Sequence, residues 1–203
     1  MKKDHFEVRA DDYDTTVYRL RYVDEMAKSI RSRIALHREM TLIDFGAGTG
    51  LLTERLAAEV GKIVAIDISP SMIDKLKVKE PELPCTLELQ QMDLTQEHYR
   101  GELADGLVST MTLHHIEDVP ALFCKFYEML KPGAFLACCD IDREDGSFHT
   151  IDTGVRHHGF DREEILRWCL EAGFEEATIT DSTVIHKPQG DYPAFLLTAK
   201  KPD

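Results

Sequence analysis

Asp44-Phe45-Gly46-Ala47-Gly48-Thr49-Gly50 ends a short apolar run, Thr41-Leu42-Ile43-Asp44-Phe45, and opens a stretch in which Leu52, Leu56 and Val60 recur at helical spacing. An apolar run, a glycine-rich turn and an amphipathic repeat predict strand, turn and helix. Glycines in such a turn let the backbone come close to a ligand, and the turn falls at the carboxyl end of a strand, where open α/β sheets bind ligands. The spacing narrows the choice of ligand. A dinucleotide fingerprint, G-x-G-x-x-G, would need its last glycine where Leu51 stands, whereas here Gly50 comes one residue early. The G-K-S/T ending of a phosphate-binding P-loop is absent.

The same alternation continues on both sides of this turn. Val17, Leu20, Met26, Ala27, Ile30 and Ile34 predict a helix over 15–35, and Ile63-Val64-Ala65-Ile66-Asp67 predicts a second strand. Ser69-Pro70 then suits a helix N-cap with proline in the first helical position, and that helix runs to Lys79. Further strands are predicted over 86–90, 106–110 and 134–141, with a helix from Asp118 to Leu130 between the last two. Asp161 and Glu164 form a capping box for a helix through Leu170, and strands over 177–185 and 195–199 follow with no helix between them. The fold class expected is therefore α/β, a doubly wound, mostly parallel seven-stranded sheet with one antiparallel strand.

Residues 1–203 are read as one domain. Within it, 1–40 supply an N-terminal lid and helix, 41–141 a cofactor-binding core, 142–160 an aperiodic loop, and 161–203 the closing helix and strand pair. With 24 basic against 37 acidic residues the formal charge is −13, which repels phosphate backbones and anionic membrane surfaces. No nucleic-acid or membrane partner is expected. The N-terminus turns acidic where a signal peptide would be apolar, and no apolar run reaches the ~18 residues of a spanning helix, so the expected location is cytoplasmic. The five cysteines, Cys85, Cys124, Cys138, Cys139 and Cys169, show no C-x-x-C spacing and are read as reduced, buried thiols.

Asp67 lies 21 residues beyond Gly46, at a strand end where a carboxylate can accept from both hydroxyls of an adenosine ribose. At this point the sequence resembles the class I S-adenosylmethionine-dependent methyltransferases of the small-molecule type called methyltransferase type 11. Five ordered blocks carry the resemblance: 42–50, Ala65-Ile66-Asp67-Ile68-Ser69, Met92-Asp93-Leu94, Leu113-His114-His115-Ile116 and Leu130-Lys131-Pro132-Gly133-Ala134. It implies S-adenosyl-L-methionine as cofactor, S-adenosyl-L-homocysteine as product and a Rossmann-like fold. It further implies that Gly46, Ala47, Gly48 and Gly50 line the methionine and ribose portion above Asp44. Asp67 would hold the ribose, Ile68 and Met72 pack on the adenine, and Asp93 and Leu94 hydrogen-bond its edge. Thr110 and Met111 would face the methionine moiety and the transferred methyl. Ile68 and Met72 also suit a core, and Asp93 also suits a cap on the turn near Thr95.

A sulfonium methyl already carries a good leaving group, so transfer by in-line displacement is mainly a matter of alignment and exclusion of water. A neutral acceptor calls for a base, and histidine is the natural one near pH 7. His157 and His158 in the aperiodic loop are the first candidates, with His115 after them. Tyr13, in a segment that resembles the family's Tyr-Asp lid, is read as shielding the sulfonium. The loop histidines with Asp142, Asp145 and Asp152 lack a fixed ligand spacing, so no metal is expected. The acceptor is read as a small molecule, because so little chain stands outside the core. Two alternatives stay open: a protein that binds the cofactor without transfer, and an NAD-linked oxidoreductase sharing the turn and Asp67.

Overall fold

The computed structural model describes residue 14 and residues 17–151 and 153–203. Seven strands form one sheet: β1 (Thr41–Phe45), β2 (Lys62–Asp67), β3 (Thr86–Gln91), β4 (Ala104–Thr110), β5 (Leu130–Ile141), β6 (Glu175–Lys187) and β7 (Gly190–Lys200). Their spatial order is β3-β2-β1-β4-β5-β7-β6. The first five pair in parallel, and β7 runs antiparallel to both β5 and β6. This is the expected doubly wound sheet with one antiparallel strand. Strand order reverses between β1 and β4, the switch point where open α/β sheets leave a crevice.

Among the described residues the α-helices are α1 (Val17–Arg33), α2 (Leu51–Leu56), α3 (Pro70–Lys79), α4 (Val119–Met129) and α5 (Arg162–Glu171). Neighbouring strand residues point to opposite faces, so Leu42, Phe135 and Cys139 pack with α1 and α2 on one side. Ile43, Leu136 and Cys138 pack with α4 and α5 on the other. The caps follow the sequence signals. Ser69 accepts from the Met72 amide, Asp118 from that of Ala121, and Asp161 from those of Glu163 and Glu164.

Three boundaries differ from the sequence reading for identifiable reasons. β5 starts at Leu130 rather than 134, because Leu130 already pairs with Ala104 and a bulge between Ala104 and Gly106 accommodates the Lys131-Pro132-Gly133 stretch. α2 stops at Leu56, and buried Val60 reaches the core from the turn that follows. The β6–β7 hairpin is longer than its apolar residues suggest, since β6 is an outer strand whose exposed side carries Thr, Asp and Ser. Cys138, Cys139 and Cys169 are buried as expected, Cys85 is half-buried, and Cys124 is exposed on α4, a correction to the reading of all five as core.

Phe126 of α4 lies fully buried and edge-on to Phe45, with ring centroids 5.0 Å apart, so it joins the glycine turn's own strand to the helix layer. Phe126→Ala is expected to lower the unfolding free energy by about 3–5 kcal/mol, read by urea denaturation.

Candidate functional site

The glycine turn hangs from β2. The amides of Gly46 and Ala47 both donate to the Ile66 carbonyl, at 2.8 and 3.1 Å. At the end of the same strand the Asp67 carboxylate accepts from the Gly48 amide at 2.7 Å and from the Ser69 amide at 2.8 Å. One side chain thus joins the turn after β1 to the N-cap of α3.

The three glycines serve different ends, although all have positive φ. A Cβ at Gly46 would lie 2.2 Å from Thr112 Oγ1, and one at Gly50 would lie 2.2 Å from a Leu76 methyl, so these two are small because protein fills the space. Among the described residues, a Cβ at Gly48 would meet nothing within 4 Å. Gly48 therefore borders open space, and with Gly46, Ala47, Thr110, Met111 and Tyr22 it lines a groove at the strand ends. Met111, just past β4, has φ 57°, a backbone conformation costly for its side chain, and its amide donates to the Cys139 carbonyl at 2.9 Å. Sequence patterning carries no sign of that strain.

Asp44 lies beneath the turn, almost wholly buried, and accepts from the Thr53 hydroxyl at 2.6 Å. Burial pushes its carboxyl up to about 7; the Thr53 hydroxyl opposes the rise and the charge of Asp67 adds to it. On the adenine side, Ile68 is 48% exposed directly after Asp67, whereas Met72 is buried at the start of α3. Asp93 accepts from the Thr95 amide and hydroxyl at 3.1 and 2.5 Å, so it does act as a turn cap. Leu94 is buried, with its carbonyl accepting from Lys125.

Tyr13 lies outside the described residues, as does Asp152. Asp14 is described, and it reaches the turn. Its carboxylate accepts from the Thr49 hydroxyl at 2.5 Å and pairs with Lys79 at 2.6 Å, tying residue 14 to the site. Sequence reading missed this tether, and it missed Tyr22 and Val23 of α1, which also face the groove.

The histidines separate into two groups. His157 Nε2 meets the Ile116 carbonyl at 2.8 Å and its ring packs on Phe160, while exposed His158 lies 3.5 Å from Glu144. His115 instead joins His114 and His149, whose Nε2 atoms stand 3.2 Å apart. His114 and its Asp140 partner, with Nδ1 to Oδ1 at 2.7 Å, are both buried. The sequence groups His149 with the other histidines of the aperiodic loop; only the fold brings it beside residue 114.

With this geometry in view, the comparisons with known proteins agree. A family profile described as a methyltransferase domain matches residues 19–178. An uncharacterized methyltransferase of Schizosaccharomyces pombe is 30% identical over 168 residues, covering 75% of this chain and 57% of that protein. Phosphoethanolamine N-methyltransferase 3 of Arabidopsis thaliana is 29% identical over 167 residues, covering 78% of this chain and 34% of that protein. The chain thus spans between a third and somewhat over half of these relatives. Haemonchus contortus phosphoethanolamine N-methyltransferase 2, solved with phosphomonomethylethanolamine and S-adenosylhomocysteine, superposes with TM-score 0.71 at 15% identity over 89% of this chain and 52% of that one. The 4+2 cyclase SpnF superposes with TM-score 0.73 at 19% identity over 88% and 80%. These likenesses show the fold, and a fold alone does not select a reaction.

Asp44 makes the site's electrostatics measurable. Its folded value near 7 stands above the ordinary 3.8, so between those limits the folded state keeps a proton that the unfolded chain releases. Its contribution to stability is whole below about pH 4 and is lost as pH rises to about 7, a fall on the order of 4 kcal/mol at most. Urea unfolding of wild type and Asp44→Asn between pH 5 and 8 is expected to show this slope in the wild type alone; parallel pH profiles would contradict it.

Proposed function

This chain belongs to the methyltransferase-domain family, and from that premise we propose that it transfers the methyl group of S-adenosyl-L-methionine to a small-molecule acceptor, leaving S-adenosyl-L-homocysteine. The observation that carries the reading is Gly48, whose missing side chain leaves a cradle beside the Asp67 carboxylate. The donor set suits the cofactor. Asp67 offers a carboxylate where ribose hydroxyls would lie, exposed Ile68 offers an apolar surface for a purine, and Thr110 and Met111 border the groove where the methionine portion would run. Bound there, the cofactor supplies an activated methyl on a cationic sulfur.

The protein's share is then positioning and charge. Asp44, held near the threshold of ionisation by burial, gains a reason to stay charged when a cation settles above the turn. The turn is held rigidly, so little ordering remains for binding to accomplish. Asp14 bonds to Thr49, which supports the reading of its sequence neighbour Tyr13 as a cover over the reactive end. For an acceptor that must lose a proton, His115 is a candidate base, four residues beyond Met111 of the groove. His157 and His158 are better placed to shape the loop over 142–160 than to meet one acceptor atom together.

A small acceptor is supported by the relatives named as phosphoethanolamine N-methyltransferases and by a formal charge of −13, which disfavours nucleic acid. The same acidity fits a cytoplasmic enzyme better than one working on an anionic membrane. The early third glycine supports this cofactor over NAD. Alanine at position 48 would occupy the cradle and would strain a backbone with φ 56° by about 1–2 kcal/mol. Gly48→Ala is expected to weaken S-adenosylhomocysteine binding at least tenfold while the protein stays folded. Label from the donor's methyl group should appear in at least one small amine or hydroxyl compound of a metabolite panel. Tight cofactor binding with transfer to none of them would favour the binding-only alternative.

A further inference from the structure

Three imidazoles converge where the aperiodic loop meets the strand ends, and the glycine-turn site does not use them all. His114 and His115 come from the short 3-10 turn Leu113–His115 after β4, and His149 comes from the loop after β5. Their ligand nitrogens lie within 4.8 Å of one another. Two nitrogens bound to one tetrahedral zinc-like ion, each at about 2.0–2.1 Å, stand about 3.3 Å apart. The Nε2 atoms of His114 and His149 stand 3.2 Å apart.

The far side of each ring is also organised. Asp140, an acceptor when ionised, takes the Nδ1 proton of His114 at 2.7 Å, which leaves the lone pair on Nε2. Thr153 Oγ1 lies 3.1 Å from His149 Nδ1, so that ring too presents Nε2 toward the meeting point. A carboxylate behind a histidine is the arrangement that fixes tautomer and orientation in metal sites. Asp140 is itself held, since it also accepts from the Ile141 amide at 2.8 Å and the His114 amide at 3.3 Å. The His114 carbonyl in turn receives the amides of Arg156 and His157 at 2.9 and 3.0 Å, where the loop returns.

We propose that His114, His115 and His149 form a site for a divalent transition-metal ion of the zinc class, which pins the loop over 142–160 to the end of the sheet. Imidazole donors suit zinc, cobalt or nickel and are poor for magnesium or calcium. A proton relay through Asp140, His114 and His149 explains two of the rings, whereas an ion explains why the third converges on them. Three protein ligands leave a fourth position for water or a small oxygen or nitrogen group. Thr112, two residues before His114, packs on Gly46, so the metal site would abut the glycine turn without sharing its residues. The proposal departs from the expectation of no metal drawn from sequence spacing, because its ligands are one adjacent pair and one residue 34 positions further on.

The test is zinc titration of the full chain after chelation and dialysis, with S-adenosylhomocysteine binding measured on the same samples as an independent reading of the glycine-turn site. The expected result is one zinc per chain with submicromolar affinity. His149→Ala, a change on a half-buried loop residue, should weaken zinc binding more than a hundredfold, and Asp140→Asn should weaken it about 10- to 100-fold. His186→Ala, on the exposed hairpin, should leave it unchanged. Cobalt in place of zinc should give the visible absorption of a four-coordinate ion, lost in His149→Ala. Absence of stoichiometric zinc binding in the wild type, or equal affinity in His149→Ala, would overturn the proposal, and the relay would then be the reading of His114 and His149.

Discussion

The Asp67 carboxylate is the constraint on which the rest depends, because its bonds to the amides of Gly48 and Ser69 hold two neighbouring strand ends in one rigid frame. Without it the turn after β1 would keep its bonds to the Ile66 carbonyl, Thr112 and Asp14 but lose its tie to the start of α3. The sheet places these strand ends side by side by parallel pairing, in which Asp44 lies opposite Ala65 and Phe45 opposite Ile66. Both sheet faces are covered by helices, so the exposed polar ends of the strands are where a ligand can be met. Burial of Asp44 beneath the turn is the electrostatic cost of this arrangement, and a cationic ligand is what would offset it.

Most of the fold could be read from the chain because its signals are local. Strand runs such as Ile63-Val64-Ala65-Ile66, caps such as Ser69-Pro70 and Asp161, and the glycine turn each depend on residues within one element. Errors arose where distant residues decide. The start of β5 depends on Ala104 across a bulge, and the full length of β6 depends on its hydrogen-bonded partner rather than its own apolar pattern. The turn side of the site was legible for the same reason as the fold, since Asp44, Gly48 and Asp67 announce themselves by spacing.

The acceptor side was less legible. His157 and His158 stand out in sequence because they are adjacent, yet one meets the Ile116 carbonyl and the other lies exposed near Glu144. His149 reads as one more loop histidine until His114, after β4, and Asp140, at the end of β5, are seen beside it. Asp14 likewise gains a role only when Thr49 and Lys79, distant in sequence, are seen beside it. The acidity that first excluded partners gains a more definite meaning at Asp44 and Asp67, two carboxylates close enough for the charge of one to raise the pKa of the other.

The central claim is that the turn from Gly46 to Gly50, clasped by Asp67, is built for the adenosyl and methionine portions of one cofactor. Calorimetric titration of the same protein preparation with S-adenosylhomocysteine and with NAD tests it most directly. The account predicts a single site for S-adenosylhomocysteine and no measurable heat of binding for NAD. Binding of NAD with no response to S-adenosylhomocysteine would contradict it.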